Sequence, residues 1–284
     1  MKRIILIILI FLGTVPLGDF AIALAGTVPE RPRYISLAPS TTEILFALGL
    51  DEEIVGVSSF CDYPPQAKSK EKAGSFSEPN IEKIISLKPD YVFCTALEQA
   101  PVIDKLKRLN LKVYVADPKN MQGLFKTIID IGKITNRDYN AETLVKNINQ
   151  DFDQISEKVK LVPQEKRPKV FIEIWHGPLT TAGAGSFIDE LIGFAGGINI
   201  ASDTKRPYSI FSAEAVIQRN PDCIIIAYMD KEGPIKLIEQ RLGWNGIAAV
   251  KNNRIYNDIN PDILLRPGPR IGQALKEIHQ RLYP

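Results

Sequence analysis

Apolar positions recur at helical spacing most regularly between Asp138 and Lys160. They fall at three- and four-residue steps, and Lys, Asn, Gln and Glu fill most of the positions between them. The apolar residues are Ala141, Leu144, Val145, Ile148, Phe152, Ile155 and Val159. The pattern predicts one amphipathic helix that Asp138 caps and Pro163 stops, about 34 Å long at about 1.5 Å per residue.

Short β-like runs alternate with helical patterns on both sides of this helix. The predicted strands are 34–37, 54–57, 91–94 and 113–115 before it, and 170–175, 223–227 and 254–256 after it. Such alternation predicts mainly parallel sheets covered by helices. We therefore expect an α/β fold with two lobes joined by one long α-helix: an N-terminal lobe over 33–120, linking helices over 121–163 and a C-terminal lobe over 168–284.

The two halves match in detail. Glu82 precedes Pro89-Asp90 and a strand by seven residues, and Glu214 precedes Pro221-Asp222 and another strand by the same distance. Pro-Asp before a strand is common enough to occur twice by chance, but further matches between the halves favour a pseudo-twofold relation. Ser40 to Glu43 also has the spacing of a capping box at the start of a helix.

The N-terminus has the pattern of an export signal. Lys2 and Arg3 precede an apolar run, and small residues lead up to a cleavage site after Ala25. The apolar run is too short for a comfortable membrane span, which is the alternative. We expect residues 1–25 to be removed and the mature protein to be periplasmic; because no cysteine lies at the cleavage site, lipid attachment there is not expected.

Charge and cysteine content narrow the possible partners. The formal net charge of +2 comes without a basic run, which disfavours nucleic acid and anionic lipid as partners. Cys61, Cys94 and Cys223 have no metal-like spacing. Cys94 and Cys223 lie in apolar strands, where a buried free thiol is usual, and the spacing leaves open a disulfide from Cys61 to either of them.

Motifs for catalysis are missing from the sequence. The chain has two histidines, His176 and His279, and no H-E-x-x-H, paired C-x-x-C or phosphate-binding G-x-x-x-x-G-K-[ST] motif. We expect no enzymatic activity, no resident cofactor and no resident metal. A periplasmic hydrolase that uses a cleft between the lobes is the competing enzyme hypothesis.

Aromatic residues instead gather just after the predicted strands, where ligands of open α/β sheets bind. Phe60, Phe76, Trp175, His176 and Tyr208 occupy such positions, Tyr208 in a predicted loop. Each alone fits ordinary loop packing. Together they predict a flat, aromatic-lined cleft for a large planar or amphipathic ligand.

Four segments carry a resemblance to a known family. They are S-L-A-P-S-T-T-E-I-L-F-A-L-G, V-G-V-S-S-F-C-D-Y-P-P, N-I-E-K-I-I-S-L-K-P-D-Y-V and L-L-R-P-G-P-R-I. The chain resembles the periplasmic solute-binding proteins of ABC importers for cobalamin and iron complexes, most strongly the cobalamin-binding members. This family has two Rossmann-like lobes joined by one long helix, with the ligand between them.

The resemblance implies roles for particular residues. Phe60 and Phe76 match aromatic cleft positions, Tyr208 matches an aromatic loop, and Asp262 with Arg266 matches a polar pair. Thr95 stands where the cobalamin binders have an aromatic wall, and Trp175 and His176 are possible replacements. Heme binders use a His or Tyr as iron ligand, which His176 or Tyr208 would supply, although a hydrogen-bonding role is the simpler interpretation of His176.

The resemblance also implies partners. Acids at the positions of Glu82 and Glu214 meet arginines on the two permease subunits in this family, whereas the sequence alone fits two ordinary first-turn acids. We expect a monomeric binding protein that delivers cobalamin or a related corrinoid to a permease dimer with cytoplasmic ATPase subunits. A heme or ferric-siderophore binder of the same family is the alternative.

Overall fold

The computed structural model of this chain describes residues 30–228 and 235–284. The predicted export signal, with its cleavage site after Ala25, lies outside the described residues. Within those residues, every helix is too short or too polar to span a membrane.

The first sheet has four strands in the order β2-β1-β3-β4, and all three pairings are parallel. The strands are β1 Tyr34–Ser36, β2 Ile54–Val57, β3 Tyr91–Cys94 and β4 Val113–Val115. The helices of this part are α1 Pro39–Ala47, α2 Ile81–Ser86, α3 Ala100–Arg108 and α4 Met121–Ile134. We call this sheet and its helices the first lobe.

The second sheet has the strand order β10-β9-β5-β6-β8, and β7 also pairs with β5. Its strands are β5 Lys169–His176, β6 Leu179–Ala182, β7 Ile198–Asn199, β8 Tyr208–Ile210, β9 Cys223–Ile226 and β10 Ile255–Tyr256. The helices after β5 are α6 Phe187–Phe194, α7 Ala213–Arg219, α8 Ile235–Glu239, α9 Ala248–Lys251, α10 Pro261–Leu265 and α11 Ile271–Leu282. We call this sheet with its helices the second lobe.

The predicted fold class is confirmed, with one difference in the second sheet. The pairings of β5 with β6 and of β6 with β8 are antiparallel. The sequence did not indicate β6, and it placed Tyr208 in a loop, whereas Tyr208 begins β8. β6 is short and largely polar, and β8 is short and exposed on one side. Neither has the apolar run from which strands are predicted in the sequence.

The Pro-Asp units of the two halves make the same contacts. In the first lobe the amide of Arg33 donates to Asp90 Oδ2 at 2.8 Å, and in the second the amide of Lys169 donates to Asp222 Oδ2 at 2.8 Å. The backbone of each aspartate returns the bond to the carbonyl of the same partner. These equivalent contacts support the pseudo-twofold relation between the lobes.

The long helix, α5 Asp138–Lys160, has the predicted bounds. All seven apolar positions are buried or partly buried in one cluster that includes core residues of both sheets. The predicted cap is wrong: Arg137 is the N-cap residue, and Asp138 lies in the first turn. The helix packs on α4 and on α11, and residues Arg33–Pro284 form one compact unit.

The helix α1 also begins differently from the prediction. It starts at Pro39, its N-cap is Ala38, and no side chain caps it. The hydroxyls of Thr41 and Thr42 donate to the carbonyl of Ala38. Glu43 is therefore not part of a capping box, and its carboxylate is buried elsewhere.

We expect Gly132→Ala to destabilise the protein. A Cβ at Gly132 would lie 2.5 Å from Cβ of Ala141, where α4 crosses α5. Helix propensity alone would favour alanine by about 1 kcal/mol, but overpacking should cost about 1–3 kcal/mol. Denaturant unfolding should show a lower free energy of unfolding for this variant.

The matched control is Gly193→Ala in α6, where an added Cβ would meet nothing within 4 Å. We expect this variant to be as stable as the parent or more stable. Equal stability of the two variants would contradict the close crossing of α4 and α5.

We also expect the three thiols to be unreactive in the native protein. Cys61, Cys94 and Cys223 are free and at most 1% exposed. Burial raises the pKa of Cys94 and Cys223 to about 12, so their thiols stay protonated at neutral pH. A thiol reagent at pH 8 should label none of them before denaturation and all three afterwards, without reductant. Labelling of fewer than three cysteines after denaturation would contradict the conclusion that all three thiols are free.

Candidate functional site

A cavity of about 510 Å³ lies at the carboxyl edge of the first sheet. The loops after β2, β3 and β4 reach it, as do the start of α1 and a segment after α10 of the second lobe. The residues that line it are Ala38, Pro39, Ser40, Phe60, Phe76, Ser77, Thr95, Glu98, Ala116, Asp117, Pro118, Leu265, Arg266 and Pro267. Its position is the one at which open parallel sheets bind ligands.

Two aromatic side chains, Phe60 and Phe76, line the cavity. Phe60 is 59% exposed although it follows a buried strand, and Phe76 is partly buried. An exposed phenylalanine offers a ligand a large apolar surface to contact. Phe60, Phe76, Thr95 and Arg266, four of the predicted site residues, line this one cavity.

Buried Gln99 holds the loops that carry these side chains. Its amide nitrogen donates to the carbonyls of Leu37 and Phe76, at 2.8 Å each. Its amide oxygen accepts from the backbone of Thr95 at 2.9 Å. One fully buried side chain thus fixes the loop of Phe76 against the ends of two strands. Sequence reasoning missed Gln99, because an isolated glutamine carries no pattern.

Gly74 allows the sharp turn that places Phe76. Its φ is +105°, and an added Cβ would lie 2.4 Å from the amide nitrogen of Asn80. Only glycine accepts both conditions without strain.

Arg266 is the basic residue of the cavity, and carboxylates surround it. Its Nη1 lies 2.7 Å from Asp62 Oδ1, and its Nη2 lies 3.0 Å from Asp262 Oδ1. Glu43 Oε1 is 4.0 Å away. Partial burial would raise the pKa of Asp62, but the hydrogen bond and the charge of Arg266 outweigh it and hold that pKa below its ordinary value. Asp262, predicted to pair with Arg266, does so within the second lobe.

A second arginine joins the lobes beside this group. Arg270 donates through Nε and Nη2 to both oxygens of Glu43, at 2.7 and 2.6 Å, and its guanidinium lies 3.9 Å from the ring centre of Tyr63. Burial raises the pKa of Glu43, although Arg270 opposes this effect. Glu43 and Asp62, both of the first lobe, were not predicted as site residues; the partners lie more than 200 positions away in sequence.

Trp175, His176 and Tyr208 do not line this cavity. Trp175 and His176 end β5, and their ring centres are 5.0 Å apart. Both rings also contact Tyr228, whose hydroxyl bonds to the fully buried Glu173. The sequence grouped these aromatics with Phe60 because all follow strands, but the strands belong to different sheets.

A buried ion pair supports this second aromatic group. Arg241 donates to both oxygens of Glu173, at 2.8 and 2.9 Å. Burial and the bond to Glu173 raise the pKa of Tyr228 well above its ordinary value. Trp175 is 39% exposed and Tyr208 51% exposed, so both side chains can meet another molecule.

Glu82 and Glu214 occupy equivalent places in the two lobes. Each is exposed in the first turn of a short helix, α2 or α7. Asn80 caps the first helix through the amide of Lys83, and Ser212 caps the second through the amide of Ala215. Hydrogen bonds from its own backbone and from Ser212 hold the pKa of Glu214 below its ordinary value.

No set of three or more His, Cys, Asp or Glu in the described part of the chain is arranged to hold a metal ion. His279, the other histidine, is half-buried and its Nδ1 lies 3.0 Å from the carbonyl of Ala195. His279 thus contacts the backbone of Ala195 and does not line the cavity.

Comparison with known proteins agrees with this architecture. An uncharacterized ABC transporter substrate-binding lipoprotein of Bacillus subtilis is 34% identical over 264 residues, which cover 91% of this chain and 82% of that protein. The crystal structure of a periplasmic vitamin B12 binding protein of Vibrio cholerae has a TM-score of 0.75 at 28% identity, covering 88% of this chain and 96% of that one.

A periplasmic heme binding protein of Vibrio cholerae has a TM-score of 0.79 at 25% identity, covering 89% of this chain and 99% of that one. The family pattern described as periplasmic binding protein matches residues 35–260, and thus both sheets and the helix between them. The resemblance in the sequence is confirmed, and the chain belongs to the periplasmic binding protein family.

Proposed function

We propose that this chain is the substrate-binding subunit of an ABC importer and that it captures cobalamin or a related corrinoid. The named relatives that bind vitamin B12 or serve ABC transporters support this proposal. In this role the protein binds and releases its ligand and performs no chemistry on it.

The cavity with Phe60, Phe76 and Arg266 carries the proposal. Two aromatic faces offer apolar contact to a macrocycle, and the ion pairs of Arg266 offer polar partners to peripheral amides. Cavities of about 300–1,000 Å³ are typical of small-molecule sites. A complete corrinoid is larger than the 510 Å³ of this cavity. We propose that part of the ligand enters and that Trp175 and Tyr208 meet the remainder.

Heme or a ferric siderophore is the second candidate. The observation that favours it is the exposed His176 at the end of β5, beside Trp175. A neutral imidazole is a common iron ligand, and a relative of the same fold binds heme. If the ligand is heme, His176 or Tyr208 would hold its iron.

The proposed setting follows from the N-terminal sequence. Export through a signal removed after Ala25 would place a monomer in the periplasm, where it meets a permease dimer with cytoplasmic ATPase subunits.

The ligand can be identified from absorption spectra. Purified protein is incubated with cyanocobalamin, hemin or a ferric siderophore, separated from free ligand and measured. We expect cyanocobalamin to be retained at a stoichiometry of one. Retention of hemin alone, with a Soret band that changes in His176→Ala, would favour the second candidate.

Truncation of Phe76, which lines the cavity, or of Trp175, which we propose meets the rest of the ligand, should weaken binding. We expect Phe76→Ala and Trp175→Ala each to cost about 1–3 kcal/mol of binding free energy, the range of large aromatic anchors. Tyr139→Ala is the control, since Tyr139 is 80% exposed at the start of α5. Calorimetry that finds both test variants equal to the control would remove this site from consideration.

The paired acids should matter for delivery and not for capture. We expect the double variant Glu82→Ala, Glu214→Ala to fold and to bind ligand normally while transport into reconstituted vesicles falls sharply, because exposed charges act on docking rate and register. Exposed Glu142 and Glu165, both outside α2 and α7, provide the matched double control. Normal transport by the test variant, or loss of its ligand binding, would make the docking assignment wrong.

A further inference from the structure

The charges around the cavity are unequal in number. Among the described residues that line it, Glu98 and Asp117 are acidic and Arg266 is basic. Lys119 pairs with Asp117 at 2.6 Å. The basic side chain that a ligand in this cavity would meet is therefore that of Arg266.

Arg266 already has carboxylate partners on both terminal nitrogens. Asp62 takes Nη1 at 2.7 Å, and Asp262 takes Nη2 at 3.0 Å. The Arg266 side chain is only 14% exposed. A guanidinium has five N–H donors, so these contacts leave others, but a ligand carboxylate that reached them would lie beside Asp62 or Asp262 as a like charge.

Neighbouring Arg270 cannot replace it. Both oxygens of the buried Glu43 accept its hydrogen bonds, and its guanidinium lies against the ring of Tyr63. Removing a guanidinium from a buried carboxylate leaves that charge unpaired, which is costly. The two arginines thus have three carboxylate neighbours, Glu43, Asp62 and Asp262.

We propose that this cavity selects neutral or cationic ligands over anionic ones, and that Asp62 determines this specificity by occupying Arg266. The inference rests on the proposed function for the cavity as the ligand site. It narrows the ligand class to molecules that present amides or hydroxyls at this edge, and it disfavours carboxylate-bearing porphyrins and anionic iron chelates.

The test compares ligands of one shape and different charge. Cyanocobalamin and its derivatives with one peripheral amide hydrolysed to a carboxylate are titrated into the parent protein and into Asp62→Asn. One of these derivatives has its carboxylate where it meets Arg266. We expect the parent protein to bind neutral cyanocobalamin about tenfold or more tightly than that derivative. Asp62→Asn should reduce that preference by about tenfold, the effect of one charge-assisted hydrogen bond becoming available.

Asp203→Asn is the matched control. Asp203 pairs with Arg219 at 2.6 Å on the surface, so its change alters the net charge equally and also removes a carboxylate from an arginine, but outside the cavity. This control should keep the parent preference. Thermal unfolding of each variant verifies its fold, and Glu43 with Arg270 still links the lobes in Asp62→Asn.

The outcomes separate this inference from the proposed function. If cyanocobalamin does not bind, the proposed function fails, and the same comparison is made with hemin and its dimethyl ester. The inference is overturned if the parent protein binds the charged ligand as tightly as the neutral one, or more tightly. It is also overturned if Asp62→Asn and Asp203→Asn give the same ratio of affinities for the two ligands. Absence of binding for both pairs overturns both proposals.

Discussion

The buried pair of Glu43 and Arg270 is the contact on which the site depends. Glu43 is 3% exposed, and both of its oxygens accept from a guanidinium that belongs to the other lobe. Breaking such a pair by removing one partner costs about 3–5 kcal/mol, because the remaining charge is buried alone. The segment before α11 must therefore lie against α1. Arg266 is on that segment, four residues earlier, and reaches the cavity for this reason.

The helix α5 provides a second link between the lobes. It approaches α4 where Gly132 faces Ala141, and it approaches α11 where Gly272 faces Asp151; a Cβ on either glycine would lie 2.5 Å from the opposing side chain. Lys276 of α11 also pairs with Asp151 at 2.5 Å. A continuous helix and an ion pair hold the lobes together by different physical means. Their relative position is thus determined by close packing as well as by charge.

The sequence predicted what depends on local pattern and missed what depends on distant partners. The bounds of α5 follow from helical periodicity, and the strands β1, β2, β3 and β9 follow from apolar runs. Both patterns are visible in the sequence because they reflect which side chains are buried. The cavity residues Phe60 and Phe76 follow from their positions after strands and from the resemblance. By contrast, Asp62 and Gln99 act through residues far away in the chain, and no spacing marks them. The sequence grouped Trp175 with Phe60 because both follow strands, but these strands belong to different sheets.

The duplicated lobes are alike where the chain repeats and differ where strands were added. Asp90 and Asp222 brace equivalent strands, so the helices before them present Glu82 and Glu214 at equivalent positions. At the carboxyl end of β5, however, the chain turns back as β6, and the antiparallel β8 follows. The second sheet therefore carries a hairpin with Trp175 and His176 where β1 of the first sheet leads directly into α1. The two lobes therefore carry equivalent exposed acids, whereas the cavity lies at the edge of the first sheet and receives from the second lobe only the segment of Arg266.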